Sequence, residues 1–205
     1  MWLLNPDIAL PQGQEVGQLQ GLLPSLPPRA LVGTAVEDDG GALEASGGWI
    51  GRGLAFRGRR ITEDQASGRG PLGVDWLSGC SLLLRPAALP TPPRFDPCFP
   101  LYYEDMDLCL RLGRAGSPVL WLPVPRLVHR RGTGSGAPGA RRLRLSTLSY
   151  LRFLRRHCPP WVFALRSLRL LALTLLRLPL QPRRRLAVLM AAGTVLGESL
   201  RRPST

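Results

Sequence analysis

Tyr102-Tyr103-Glu104-Asp105-Met106-Asp107-Leu108-Cys109-Leu110-Arg111 is the stretch on which the reading of this chain turns. Acids crowd its start, and arginines follow at Arg111 and Arg114. That order suits a helix dipole, which favours negative charge at the first turn and positive charge at the last. A helix is therefore predicted from this point to about Arg114, closed by Gly116, with Asp107 and Arg111 spaced to pair on its surface. Three acids beside two aromatic residues admit two uses. They can simply cap a helix. One of them can also serve as a general base toward a hydroxyl within hydrogen-bond reach.

Working outward, the flanks read as strands. Upstream, Val74-Asp75-Trp76-Leu77 leads into Ser78-Gly79-Cys80-Ser81-Leu82-Leu83-Leu84-Arg85, a strand whose glycine permits close backbone approach. Prolines 86, 90, 92 and 93 make a rigid connection to Arg94-Phe95-Asp96. Downstream, Val119-Leu120-Trp121-Leu122 reads as a buried strand ended by Pro123 and Pro125, and His129 follows before a Gly/Ser segment at 132–140. At the other end of the chain, Met1-Trp2-Leu3-Leu4 reads as a strand running into Asn5-Pro6-Asp7. Asn-Pro-Asp is good turn chemistry. A carboxylate at a strand end in an open α/β sheet is also where ligands and metals bind. Residues 8–29 suggest a short helix, Leu31–Val36 a strand, and residues 40–73 a long loop with one short helix. His129 is open to a similar pair of readings: a surface or packing histidine, or a metal ligand beside a distant carboxylate.

The chain has 205 residues, 44% of them hydrophobic and 20% charged, so it can bury a core. Its net charge of +13 is not spread evenly. From Arg141 onward there are fourteen arginines and one acid, Glu198, whereas the thirteen arginines and thirteen acids before it cancel. The basicity thus belongs to a tail, residues 141–205, set against a neutral domain at 1–140. Every base is arginine. In the tail these arginines alternate with leucines rather than with stacking aromatics, which argues against nucleic acid as a partner. The run Trp161–Leu180 is interrupted by three arginines. It suits an amphipathic helix on a membrane surface better than a span. Cys80, Cys98, Cys109 and Cys158 form no CxxC pair, so a reduced cytoplasmic setting with packing cysteines is expected.

Four separated segments occur in a telling order: LLNPD at 3–7, WLSGCSLLLR at 76–85, FDPCFPLYYEDMDLCLRLGRAG at 95–116 and VLWLPVPRLVHRRGTGS at 119–135. Together they closely resemble the second half of family-2 glycosyltransferases, particularly the rhamnosyl- and galactofuranosyl-transferase-like group. The resemblance covers about residues 1–150, and YYEDMDLCLR is its most specific part. It implies an α/β fold of the GT-A type, a mixed-sheet sandwich binding a nucleotide-sugar donor at its strand ends. Asp7, with Asn5 beside it, matches the family's DXD-type element on the donor diphosphate, although Asn5 replaces its first acid. His129 resembles a further metal ligand, so Mg2+ or Mn2+ is implied as cofactor. Asp105 would be the base for a single inverting displacement, with Glu104, Trp76 and Gly79 on the side of a glycan or lipid-linked acceptor. Nothing corresponds to the family's nucleotide-binding half, so an N-terminally truncated domain is expected, associated peripherally with the cytoplasmic face of a membrane. The alternative is a non-enzymatic protein that binds a membrane surface or polyanion through its arginine-rich tail.

Overall fold

The computed structural model describes residues 1–51, 58–68, 70–130 and 139–200, with side chains as far as Glu198. They form two compact units. Residues 1–51, 58–68, 70–94 and 105–130 make the first, and 95–104 with 139–200 make the second.

The first unit is α/β. In chain order it contains β1 (Trp2–Leu4), β2 (Ile8–Ala9), α1 (Glu15–Leu22), β3 (Leu31–Asp38), β4 (Gly47–Ile50), β5 (Gly58–Arg60), α2 (Glu63–Ala66), β6 (Leu72–Gly73), β7 (Trp76–Leu77), β8 (Ser81–Leu83), α3 (Glu104–Arg114) and β9 (Val119–His129). The apolar run Leu31–Val36 is buried throughout, as a central strand requires. β3 pairs in parallel with β9 on one side and antiparallel with β8 on the other. β1 extends the sheet beyond β8, and β2 extends it beyond β9, giving the order β1-β8-β3-β9-β2 with β6 also on β9. The sheet is therefore mixed. One face is closed by Leu19, Leu26, Ala30, Val32, Leu83 and Leu122, against which Trp2, Leu22, Leu23 and Leu120 pack.

Two expectations are corrected here. Residues 40–73 are more than a loop with a helix, because β4 pairs with both β5 and β7 in a small second sheet. The segment between them, residues 52–57, lies outside the described residues. Nor do Pro123 and Pro125 end the strand. The β3–β9 register passes from Thr34↔Leu122 to Ala35↔Arg126, so Pro123-Val124-Pro125 is looped out and pairing resumes to Asp38↔His129. Proline cannot donate to a ladder, and a bulge removes it from the pairing without stopping the strand. His129 is in consequence the last residue of a strand, paired on its other side with Ile8.

The second unit is helical: α4 (Ala140–His157), α5 (Pro160–Leu176) and α6 (Pro182–Leu200). Leu148 and Leu151 pack with Ala191, Ala192 and Val195, and Leu154 packs with Cys158 and Val162. The segment Trp161–Leu180 is helical over most of its length and is broken before Pro182, as its prolines require. α5 stops at Leu176, and Pro182 opens α6, where a missing N–H costs nothing. Asp96 and Arg156 form an ion pair at 2.7 Å, and Arg152 pairs with Glu198. Among the described residues, no helix is long and apolar enough to cross a membrane.

Candidate active site

After β1 the chain turns, the Ile8 N–H donating to the Asn5 carbonyl at 3.1 Å. Asn5 itself donates from its backbone to the Cys80 carbonyl at 3.3 Å and from its side chain to Cys80 Sγ at 3.5 Å. Beyond the turn, the Asp7 carbonyl accepts the Arg130 N–H at 2.8 Å, which holds this corner against the end of β9. Asp7 Oδ2 then lies 3.0 Å from His129 Nε2. The turn reading and the ligand reading of Asn5-Pro6-Asp7 are compatible: the turn delivers the carboxylate.

On its other side, His129 Nδ1 lies 2.9 Å from Glu44 Oε2. Glu44 sits in the loop after β3, tied back by its N–H to the Val36 carbonyl at 2.7 Å. Burial draws the His129 pKa down, but hydrogen bonds to Glu44 and Asp7 and their charges outweigh it, and the net shift is upward. Glu44 is the residue the sequence reading missed. Its partner is 85 positions away, and no local pattern announces that pairing.

Asp105 stands in the first turn of α3. Its Oδ2 accepts the Gly79 N–H at 2.8 Å, and its Oδ1 accepts the Met106 N–H at 2.7 Å. Burial pushes its carboxyl above the usual range, only partly opposed by the N–H groups of Gly79, Met106 and Asp105 itself. A carboxylate raised in this way is a better proton acceptor near neutral pH. Gly79 contributes its N–H rather than a missing side chain. A Cβ there would stand 3.7 Å from the Asp105 carboxyl, an ordinary contact.

Cys80 links the two halves of the arrangement. Burial pushes its thiol pKa up, a hydrogen bond with Ser78 opposes this, and the charges of Glu44, Asp105 and Asp7 add to the rise in that order. The charges of Asp105 and of the carboxylates flanking His129 are thus all felt at one thiol, which the sequence marked only as a packing residue.

Trp76 and Glu104 are the remaining residues expected on the acceptor side. Trp76 is 8% exposed, on β7. Its indole Nε1 is buried without a hydrogen-bond partner among the described residues. Glu104 opens α3 but belongs to the second unit, where it is partly buried. The residues before it are unusual. Tyr102 and Tyr103 have φ of 63° and 70°, a left-handed conformation that bulky residues rarely adopt. Arg142 holds the Tyr102 hydroxyl, and Tyr103 stacks at 5.1 Å on Phe153 and 5.9 Å on Tyr150. Such maintained strain clusters at functional sites.

The donor set suits a hard divalent cation. In the structure the 3.0 Å between Asp7 Oδ2 and His129 Nε2 is a hydrogen bond, so a cation would have to replace the proton between them. Glu44 on Nδ1 stands where an outer partner would orient the ring for that exchange. Among the described residues no group of three His, Cys, Asp or Glu side chains converges to hold a metal. Cations of this kind ordinarily complete their shell with substrate phosphates and water.

No protein-family model matches the chain. Over 94 residues, 45% of its length, it is 36% identical to the N-acetylglucosaminyl-diphospho-decaprenol L-rhamnosyltransferase of Mycobacterium tuberculosis, in strains CDC 1551 / Oshkosh and H37Rv. Over 83 residues, 40% of its length, it is 31% identical to the rhamnosyltransferase WbbL of Escherichia coli K12. Part of this chain is a distant homologue of rhamnosyltransferases. The match spans about a third of the length of these curated relatives, 31% in each case.

Proposed function

We propose that this chain carries the metal-side and acceptor-side residues of an inverting glycosyltransferase of the family-2, GT-A type. The substrate would be a nucleoside-diphosphate sugar, and the acceptor a glycan or lipid-linked glycan at the cytoplasmic face of a membrane. The observation that carries this reading is the placement of Asp105. Its proton affinity is raised by burial, and its orientation is fixed by the Gly79 N–H at 2.8 Å and the Met106 N–H at 2.7 Å. Homology to rhamnosyltransferases supports the same class of chemistry.

In the proposed reaction, Asp105 takes the proton of an acceptor hydroxyl as its oxygen attacks the anomeric carbon. The bond from that carbon to the diphosphate breaks, and the nucleoside diphosphate leaves with the bonding electrons. Mg2+ or Mn2+ held by Asp7 and His129 would supply charge neutralisation on the leaving diphosphate. Asn5 would flank the donor, and Glu104 the acceptor. Gly79 would serve through its hold on Asp105, and Trp76 on the acceptor side beside it.

The test is transfer of radiolabel from a panel of nucleoside-diphosphate sugars, thymidine diphosphate rhamnose among them, to a lipid-diphosphate N-acetylglucosamine acceptor. Metal-dependent transfer that is lost in Asp105→Asn supports the reading. A folded chain that transfers nothing but still binds acceptor or membrane would favour the non-enzymatic alternative.

A further inference from the structure

The outward side of α5 is apolar where a surface helix should be polar. Its inward residues are accounted for: Val162 is buried with Leu154 and Cys158, and Phe163, Leu170 and Leu171 pack on the α4–α6 core. Thr174 is buried too, its hydroxyl donating to the Leu170 carbonyl at 2.7 Å. Yet Trp161, Leu165, Leu168, Leu175 and Leu176 are between 48% and 75% exposed. At 100° per residue these five fall on one stripe, with Ala164 and Ala172 among them and Arg169 at its margin. A helix apolar on both sides belongs inside a protein core or in lipid. This one is 17 residues long, about 25 Å at 1.5 Å per residue, and does not span a bilayer.

Charge chooses the occupant. Glu198 is the one acid from residue 141 onward, and Arg152 and Arg155 already engage it. No carboxylate pairs with Arg169, Arg177 or Arg183 among the described residues. A second copy docked on this face by a two-fold axis would bring two sets of unpaired arginines together. Anionic headgroups would neutralise them, and Trp161 at one end of the stripe is the residue type that sits at a lipid–water boundary.

We propose that the outward face of α5 is a lipid-docking face: Trp161, Leu165, Leu168, Leu175 and Leu176 enter the acyl boundary of an anionic bilayer while Arg169, at the margin of the stripe, meets headgroup phosphates. This deepens the membrane placement proposed above and is independent of the transferase chemistry, because docking requires no sugar donor.

The experiment is flotation of the full chain with vesicles of phosphatidylcholine alone or with about a quarter phosphatidylglycerol. The parent should float with the anionic vesicles, and added salt should weaken but not abolish binding, since apolar insertion is not screened. Leu165→Gln, Leu168→Gln and Leu176→Gln combined should lower partitioning at least about tenfold without changing the circular-dichroism melt, as all three side chains face outward. Arg169→Gln should lower binding about fivefold on anionic vesicles and leave neutral vesicles unaffected. Undiminished flotation of the leucine variant overturns the proposal. So does a parent that binds neither vesicle, including one that instead forms a dimer abolished by the leucine changes. Transfer to a water-soluble acceptor should survive the leucine changes, so failure of docking and failure of the transferase reading are read separately.

Discussion

Asp105 combines two properties that pull stability and activity apart. Its carboxyl is desolvated, so the folded state disfavours the ionised form and its pKa lies above the usual carboxylate range. A group raised on folding binds its proton more tightly in the native state, so its contribution is favourable at low pH and is lost as pH rises through the folded pKa. Asp105→Asn removes the buried charge while keeping an oxygen for the Gly79 N–H. We expect its melting temperature at about pH 7–8 to equal or exceed the parent's, the advantage fading below about pH 4. Transfer should meanwhile fall about 100- to 10,000-fold, the range for a lost general base. Glu44 acts one step removed, through His129. In Glu44→Ala, manganese affinity read by electron paramagnetic resonance should fall about 10- to 100-fold. Glu44→Gln keeps an acceptor for Nδ1–H and should recover part of that loss, which a purely structural role would not require. Asp7, His129 and Asp105 became candidates in the sequence through the family resemblance, since locally each reads equally well as a turn residue, a packing histidine or a helix cap. Glu44 and Cys80 did not, since a solvent-loop glutamate and a strand cysteine acquire meaning only when the sheet brings them against the others.

Among the elements, α3 was the most readable. Its acids, its terminal arginines and Gly116, at φ 86°, mark its ends, and Arg111 pairs with Asp107 at 2.7 Å. The pairing differs from expectation in one respect: Asp107 is fully buried, so it anchors the helix rather than decorating its surface. The small sheet was hidden for the opposite reason. β4 and β5 carry Gly47, Gly48 and Gly58, and glycine leaves no alternation of apolar and polar side chains to recognise. Gly48 is there because nothing larger fits. A Cβ at this position would stand 1.8 Å from the Arg59 carbonyl oxygen across the β4–β5 pair. Gly48→Ala should therefore cost about 3 kcal/mol or more in urea unfolding, at the upper end for overpacking, because the obstacle is backbone and cannot rotate away.

Across the whole molecule, the uneven charge seen in the sequence corresponds to two kinds of architecture. The neutral N-terminal part folds into a mixed α/β sheet, and the basic tail folds into three helices with a core of their own. The fold class followed from ordered motifs, but the tail's packing did not, because leucines at helical spacing look alike whether they face a core or a bilayer. Burial separates them: the same helix hides Val162 and exposes Leu176. The central claim concerns the first unit, and one assay addresses it most directly. Parent and Asp105→Asn chains, matched for fold by circular dichroism, would be given nucleoside-diphosphate sugars, Mn2+ and a lipid-diphosphate N-acetylglucosamine acceptor, and glycosylated product counted. Our reading predicts product from the parent and at least about a 100-fold loss in Asp105→Asn. Equal product from both chains, or none from a folded parent with any donor, would contradict it.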